Sequence, residues 1–339
     1  MYLLLFYFFN FSIKAEEIKV ISERSIKNIS DTVSDITVFD EYAIRSSGAA
    51  TVKEFLELES DIHIFSPGAG QPESVQIRGN DARHTLILVD GQNIGDITGT
   101  DGSARLESVS LQNITKIEVI KGSESVLYGS QAIGGVINII TDKSKSGGSL
   151  SLRLGSYRSR EAALDYKLVK DDWSFSMFSN FESRKDFSVR PRSLNNLHDD
   201  DQTQKVNVGF NIIKEKRDSK LHFMFKHYNY KYDYDSTATD EFDDQGEYQN
   251  YFYGLGYEKK WSAKLQTKIN VSRTEVERRI YGVDNNSAFS YLYEGESHRL
   301  DIIGDLKTSR NHLSFGADAL EESVSALDSK LAQDRKRAQ

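Results

Sequence analysis

Beyond Gly148, apolar and polar residues alternate with a period of two over most of the remaining chain. Leu150, Leu152 and Leu154 alternate with Ser151 and Arg153, and Leu164, Tyr166 and Leu168 with Asp165 and Lys167. The same period recurs in residues 206–212, 221–225, 251–257, 265–271, 300–302 and 313–317. A strand turns successive side chains to opposite faces, so each segment predicts a strand with one apolar and one polar face. With residues 173–181 included, about nine such strands follow one another, which predicts an up-and-down antiparallel sheet.

The links between strands say which medium covers the apolar face. Links near residues 170–171, 214–218, 259–260 and 309–310 are short, whereas those at 186–203, 231–248 and 280–293 are long. In an up-and-down sheet every second link lies on the same edge. Apart from one early turn near Ser156, the long links therefore gather on one side. Outer-membrane barrels sort their connections this way, with short periplasmic turns and longer extracellular loops. Three prolines against 18 Phe and 17 Tyr suit long strands with aromatic borders. Residues 2–11 are apolar but too few to span a bilayer, which needs about 20 residues. They predict a secretory signal over residues 1–15, cleaved near Ala15.

The earlier part of the chain reads differently. Residues 34–39 suggest a first strand, and Thr51 and Glu54 stand in capping-box spacing ahead of a predicted helix over 51–58. From Ser74 to Asp142 short β-branched runs are closed by Gly at almost every exit. These are Val75-Gln76-Ile77-Arg78-Gly79, Leu86-Ile87-Leu88-Val89-Asp90-Gly91, Ile117-Glu118-Val119-Ile120-Lys121-Gly122 and Gly135-Val136-Ile137-Asn138-Ile139-Ile140. They predict a compact sheet with tight turns, ending at a polar linker over 143–148. The loops at 66–72 and 95–103 are too rich in Gly, Pro, Thr and Asp for regular structure.

An acidic balance, 51 Asp and Glu against 43 Lys and Arg, argues against a nucleic-acid partner. Without cysteine there is no disulfide, thiolate metal site or thiol nucleophile. The seven His residues form no HExxH or similar spacing, and Gly68-Ala69-Gly70 opens no long helix that could cradle a phosphate. The chain is not expected to be an enzyme.

The ordered runs of residues 74–142 closely resemble the plug domain of TonB-dependent outer-membrane receptors, and the loop pattern most resembles the vitamin B12 (cobalamin) receptor subfamily. The resemblance implies an all-β, antiparallel membrane barrel with an N-terminal α+β plug domain at 34–145. The first nine or so barrel strands would occupy 148–320, with a polar tail at 321–339 outside the barrel. Such plugged transporters have about 22 strands, so the resemblance implies the N-terminal part of a receptor. The remainder would belong to a continuation of the gene or to a second chain. A siderophore or haem receptor, or a non-transporting truncated product that acts only as a binding plug or is an inert remnant, stays open as an alternative.

The resemblance also implies site residues and partners. Residues 16–33 would hold the segment pulled by a TonB-type energy-transducing protein, with Glu17, Ile18, Lys19, Val20, Ile21 and Ser22 as its box. The β-propensity of this stretch suits addition of a strand to a partner's sheet edge. Arg78 and Lys121 would lock the plug against acidic residues of the barrel wall. Gly70, Gln71, Asn93, Ile94, Asp96 and Thr98 would face a small-molecule metal chelate, cobalamin or a siderophore. No cofactor is obligatory. Calcium, which needs six to eight hard oxygen ligands, could order the outer loops through Asp199, Asp200, Asp201 and Asp235, the last with neighbours Asp233, Asp240, Asp243 and Asp244. Outer-membrane lipid would surround the whole.

Overall fold

The computed structural model describes residues 19–22, 25–28, 35–49, 51–58, 62–66, 73–100, 102–111, 114–122, 128, 130–141, 146–185, 201–234, 244–284, 287–308 and 312–328. The expected signal at 1–15, together with Glu17, Ile18, Gly70, Gln71, Asp199, Asp200, Asp235, Asp240 and Asp243, lies outside these residues.

The chain opens on a hairpin of β1 (Lys19–Ser22) and β2 (Ser25–Asn28), registered from Lys19 opposite Asn28 to Ser22 opposite Ser25. The expected partner-binding segment is thus paired, in part, with its own neighbour. Next come β3 (Asp35–Asp40), α1 (Glu41–Ser46) and α2 (Val52–Leu56). The pattern of the sequence does not announce α1. It starts because the Asp40 carboxylate accepts from the Ala43 N–H at 2.7 Å, which satisfies an otherwise orphaned donor. Thr51 caps α2 in the same way, accepting from Glu54 N–H at 3.1 Å.

The plug core follows. A two-stranded sheet joins β4 (Ile62–Phe65) to β5 (Ser74–Ile77). A mixed sheet adds β6 (Thr85–Val89), β7 (Gln92–Asn93), β8 (Lys116–Lys121) and β9 (Gly135–Ile140), in the order β3-β8-β9-β6-β7. Among the described residues only β6 and β9 run parallel. Buried residues of β6, β8 and β9 run consecutively rather than alternately, because both faces of the sheet are covered. One face packs on Val52, Phe55, Leu56 and Leu106, and the other on Tyr128 and Ala132.

Nine strands then form one sheet in sequence order. They are β10 (Gly147–Leu154), β11 (Arg160–Lys170), β12 (Trp173–Lys185), β13 (Gln202–Lys216), β14 (Ser219–Tyr234), β15 (Asp244–Lys260), β16 (Leu265–Asp284), β17 (Ser287–Lys307) and β18 (His312–Asp328). All eight pairings are antiparallel. Among the described residues the sheet is open, with β10 and β18 as its edges. It is an incomplete barrel wall curved around the plug.

The alternation that defined these strands is inverted relative to a water-soluble sheet. Leu152, Leu168, Phe175, Phe223, Leu255, Val271 and Ile302 are large, apolar and exposed. The opposite face of the same strands buries Asn180, Asn207, Lys226 and Asn250. An apolar exterior around a polar interior is the arrangement of a barrel in lipid. No described helix is long and apolar enough to cross a membrane, so any crossing belongs to the strands.

Two expectations need correction. Residues 280–293 do not form a long loop, since β16 runs to Asp284 and β17 resumes at Ser287 with those two residues opposite each other. Polar residues there leave the strand intact because ladder bonds, not side-chain hydropathy, hold a strand beyond the lipid band. The tail is corrected for the same reason. Residues 321–328 belong to β18, paired out to Asp328 opposite Tyr291.

Candidate functional site

The site is the seam where the plug meets the inner face of β13 to β17. It starts at the β6–β7 turn, whose two central residues, Asp90 and Gly91, have φ of 50° and 81°. A two-residue hairpin loop of type I′ has both angles positive, which Gly meets without strain and Asp tolerates. This turn aims the Asp90 carboxylate at the wall. The carboxylate accepts from Thr141 N–H at 2.7 Å and Thr141 Oγ1–H at 2.6 Å, and from the buried Lys226 ammonium of β14. Burial raises the Asp90 pKa, but the Lys226 charge and the donors outweigh it and hold the carboxyl below its ordinary value.

The loop after β7 makes the second contact. Asn93 donates to Gln131 Oε1 at 2.8 Å, and its own Oδ1 accepts from Gly95 N–H. Asp96 is fully buried. Its Oδ1 accepts from the N–H and hydroxyl of Thr98, and its Oδ2 accepts from Arg105 Nε at 2.8 Å. Arg278 of β16 donates to the Thr98 carbonyl at 3.0 Å and lies 3.9 Å from the same Asp96 oxygen. Its guanidinium also sits over the Tyr293 ring at 4.4 Å. Ile97, at the loop tip, packs against Tyr230, Tyr232, Tyr248 and Val276. The approach is close enough that a Cβ at Gly295 of β17 would lie 2.6 Å from Ile97 Cγ1.

A third contact comes from the 3-10 turn Leu106–Ser108. Asn207 of β13 donates to the Ser108 carbonyl at 2.9 Å. Beside it Glu107 accepts from Glu73 N–H at 3.3 Å and lies 3.9 Å from Arg105. Burial pushes the Glu107 carboxyl up to about 7, against the pull of Arg105.

The expected residues are distributed unevenly. Ile94, Asp96 and Thr98 are buried in the seam, and their loop is held by the wall; Asn93 is half-buried. Of the two expected locking cations, Arg78 is seen paired within the plug. Arg78 ion-pairs with Asp35 at 2.6 Å, and Asp35 stands opposite Lys121 across β3 and β8, so both belong to one edge of the plug. Asp201, buried at the start of β13, stands near Asp233, whose oxygens accept from Gln202 N–H and Gln245 Nε2–H. Among the described residues no three His, Cys, Asp or Glu gather closely enough to hold a metal.

Sequence reasoning misses Lys226, Arg278, Arg105, Glu107 and Gly295. A signal exists for the two wall cations. Each occupies an inward position of an alternating strand, where a charge needs a partner inside.

Comparison with known proteins agrees with this architecture. The TonB-dependent Receptor Plug Domain family matches residues 28–136. The vitamin B12 transporter BtuB of Photobacterium profundum is 40% identical over 119 residues, 35% of this chain and 19% of that protein. BtuB of Vibrio cholerae is 31% identical over 180 residues, 52% of this chain and 29% of that protein. The siderophore receptor PiuA of Acinetobacter baumannii superposes with a TM-score of 0.69 at 13% identity, over 88% of this chain and 47% of PiuA. At that identity the likeness is one of fold. The chain covers less than half the length of each.

Proposed function

Because this chain carries the plug domain of the TonB-dependent receptor family, we propose that it is part of an outer-membrane receptor that binds and actively imports cobalamin or a similar large metal chelate. The observation that carries the reading is the 40% identity to a vitamin B12 transporter over 119 residues. The exposed apolar face of β10 to β18 supports an outer-membrane location. Substrate would bind on the long-loop side. A TonB-type protein would pull from the other side on the segment that includes β1, by adding a strand to its own sheet. The seam must then yield, since plug and wall are joined by buried contacts at Asp90, Asp96 and Ser108.

Calcium has a place in this proposal. Asp201, Asp233 and Asp244 stand at the long-loop ends of β13, β14 and β15. Asp199, Asp200 and Asp235 would complete a set of hard oxygens there.

A receptor-deleted host expressing the complete gene, given labelled cobalamin, tests the substrate. Restored uptake is expected. Restoration of ferric-siderophore uptake instead would move the assignment to an iron-chelate receptor, the class of the solved PiuA structure.

A further inference from the structure

We propose that the short-turn mouth of the lumen is an anion-binding vestibule, and that it takes phosphate- or carboxylate-bearing small solutes passing between plug and wall. The inference deepens the import reading and rests on it for the direction of traffic.

The vestibule is a cavity of about 610 Å³ among the turns that follow β13 and β15 and the end of β17. Seven of its lining residues are cationic and four carry carboxylates, in a chain whose net charge is -8. Two of those carboxylates are already paired with lysines, Asp218 with Lys259 at 2.6 Å and Glu258 with Lys268 at 3.2 Å. A third, Asp305, accepts from Ser314 Oγ–H at 2.6 Å. Lys216, Arg217, Lys220, Lys260, Lys264 and Lys307 make no ion pair among the described residues. Like charges crowded in a concave wall raise the local potential and draw counter-ions. The fourth carboxylate, Glu215, stands opposite Lys220 across β13 and β14, so the lining keeps an excess of three positive charges, seven cations against four carboxylates.

Register shows which way these cations face. Lys220 stands opposite Glu258, Glu258 opposite Lys268, and Lys268 opposite Ile303. On β14, Lys220 shares its face with Met224 and Lys226, which are buried against the plug. Lys220 and Lys268 therefore point into the lumen. Lipid headgroups meet the outside of a barrel, where Trp173, Tyr257 and Trp261 are exposed at this same rim. A solute arriving from within fits the inward row better.

A second cavity, of about 360 Å³, lies between the plug sheet and the wall. Gln92, Asn93, Asn138 and Asn270 line it, and it shares Lys220, Glu258 and Lys268 with the vestibule. The two cavities thus adjoin, with these three side chains between them. Together they extend from beside the Asp90 turn to the short-turn mouth, with a mixed lining of amide, apolar and charged residues at the start and an excess of cations at the end. The gradient would draw an anionic solute outward from the seam.

The test uses the full chain folded in detergent micelles and titrated with inorganic phosphate, read by broadening of the phosphorus resonance. Saturable binding that weakens with added salt is expected. The triple variant Lys220→Gln, Lys260→Gln, Lys264→Gln should bind at least about tenfold more weakly, whereas the corresponding triple Arg variant should keep its affinity. Lys264→Gln alone, at an exposed turn position, should lose about twofold and guards against misfolding of the triple. Equal affinity in the Gln and wild-type chains, or equal loss in the Gln and Arg triples, would overturn the proposal. Phosphatidylglycerol vesicles, with phosphatidylcholine as control, separate the sources. If the Gln triple loses vesicle binding but keeps phosphate, the occupant is a headgroup and the solute reading fails. Because phosphate is the probe, failure to bind cobalamin leaves this result readable on its own.

Discussion

Lys226, buried in the middle of β14, holds the carboxylate of Asp90 across 136 positions of sequence and joins the wall to the plug. Asp90 keeps two donors from Thr141 when that lysine is removed, yet its charge stays buried. Lys226→Met should therefore weaken plug docking by about 3–5 kcal/mol, the usual cost of breaking a buried pair on one side. Adding Asp90→Asn should restore much of the loss, because no uncompensated charge then remains. Urea denaturation of the two variants and their combination measures the coupling. A single-variant loss under about 1 kcal/mol would show that the pair is hydrated.

Gly295 is a second joint. Its missing Cβ is the space that Ile97 Cγ1 and Thr98 Cγ2 occupy. Gly295→Val should expel the loop tip from the tyrosine cluster and cost about 1–3 kcal/mol by overpacking. Hydrogen exchange should then rise in residues 95–104 while the β8–β9 pairing keeps its protection.

The pH dependence of docking should carry the mark of Glu107. Its carboxyl is raised by burial to about 7 from an ordinary 4.5. The native state therefore binds the proton more tightly than the unfolded chain. The resulting stabilisation is full below pH 4.5 and is lost as pH rises through 7. Asp90 acts oppositely: its contribution is present above 3.8 and is lost as pH falls through its depressed value. Glu107→Gln should flatten the fall in stability between pH 4.5 and 7. Glu73, also raised by burial, will keep a residual slope. Denaturation midpoints measured across that window decide the matter.

The outer face can be tested in lipid. Phe223→Arg places a charge on the exposed apolar band and should cost about 2–4 kcal/mol near mid-bilayer, falling toward the rim. Folding yield into vesicles is the readout. Equal yields for wild type and variant would remove β14 from the membrane.

Calcium should tighten cobalamin binding by ordering the acidic loops beyond β12 and β14. Titration of the complete receptor with and without a chelator checks this, and equal affinities would remove the ion from the proposal.

The architecture is largely legible in the chain. All nine strands of the curved sheet announce themselves by alternation, because period-two patterning is a local property that each strand carries alone. Thr51 marks its helix for the same reason. Asp90-Gly91 is readable as a turn from two residues. The start of α1 is hidden because Asp40 lies within a stretch that continues a strand up to the cap itself.

The seam is not legible, and the reason is physical. Arg78 carries the right charge for a lock, and in this structure it pairs with Asp35 within the plug. The groups that grip the wall are Asp90, Asp96 and Ser108, and their partners Lys226, Arg278 and Asn207 lie about 100 to 180 positions away. By itself, then, the sequence determined a compact sheet with tight Gly turns followed by strands with one apolar face, since period and turn chemistry are written within a few residues. Which side chains join the two was decided only in the tertiary structure. An ion pair depends on distance and burial, and those exist only once the sheet has curved around the plug.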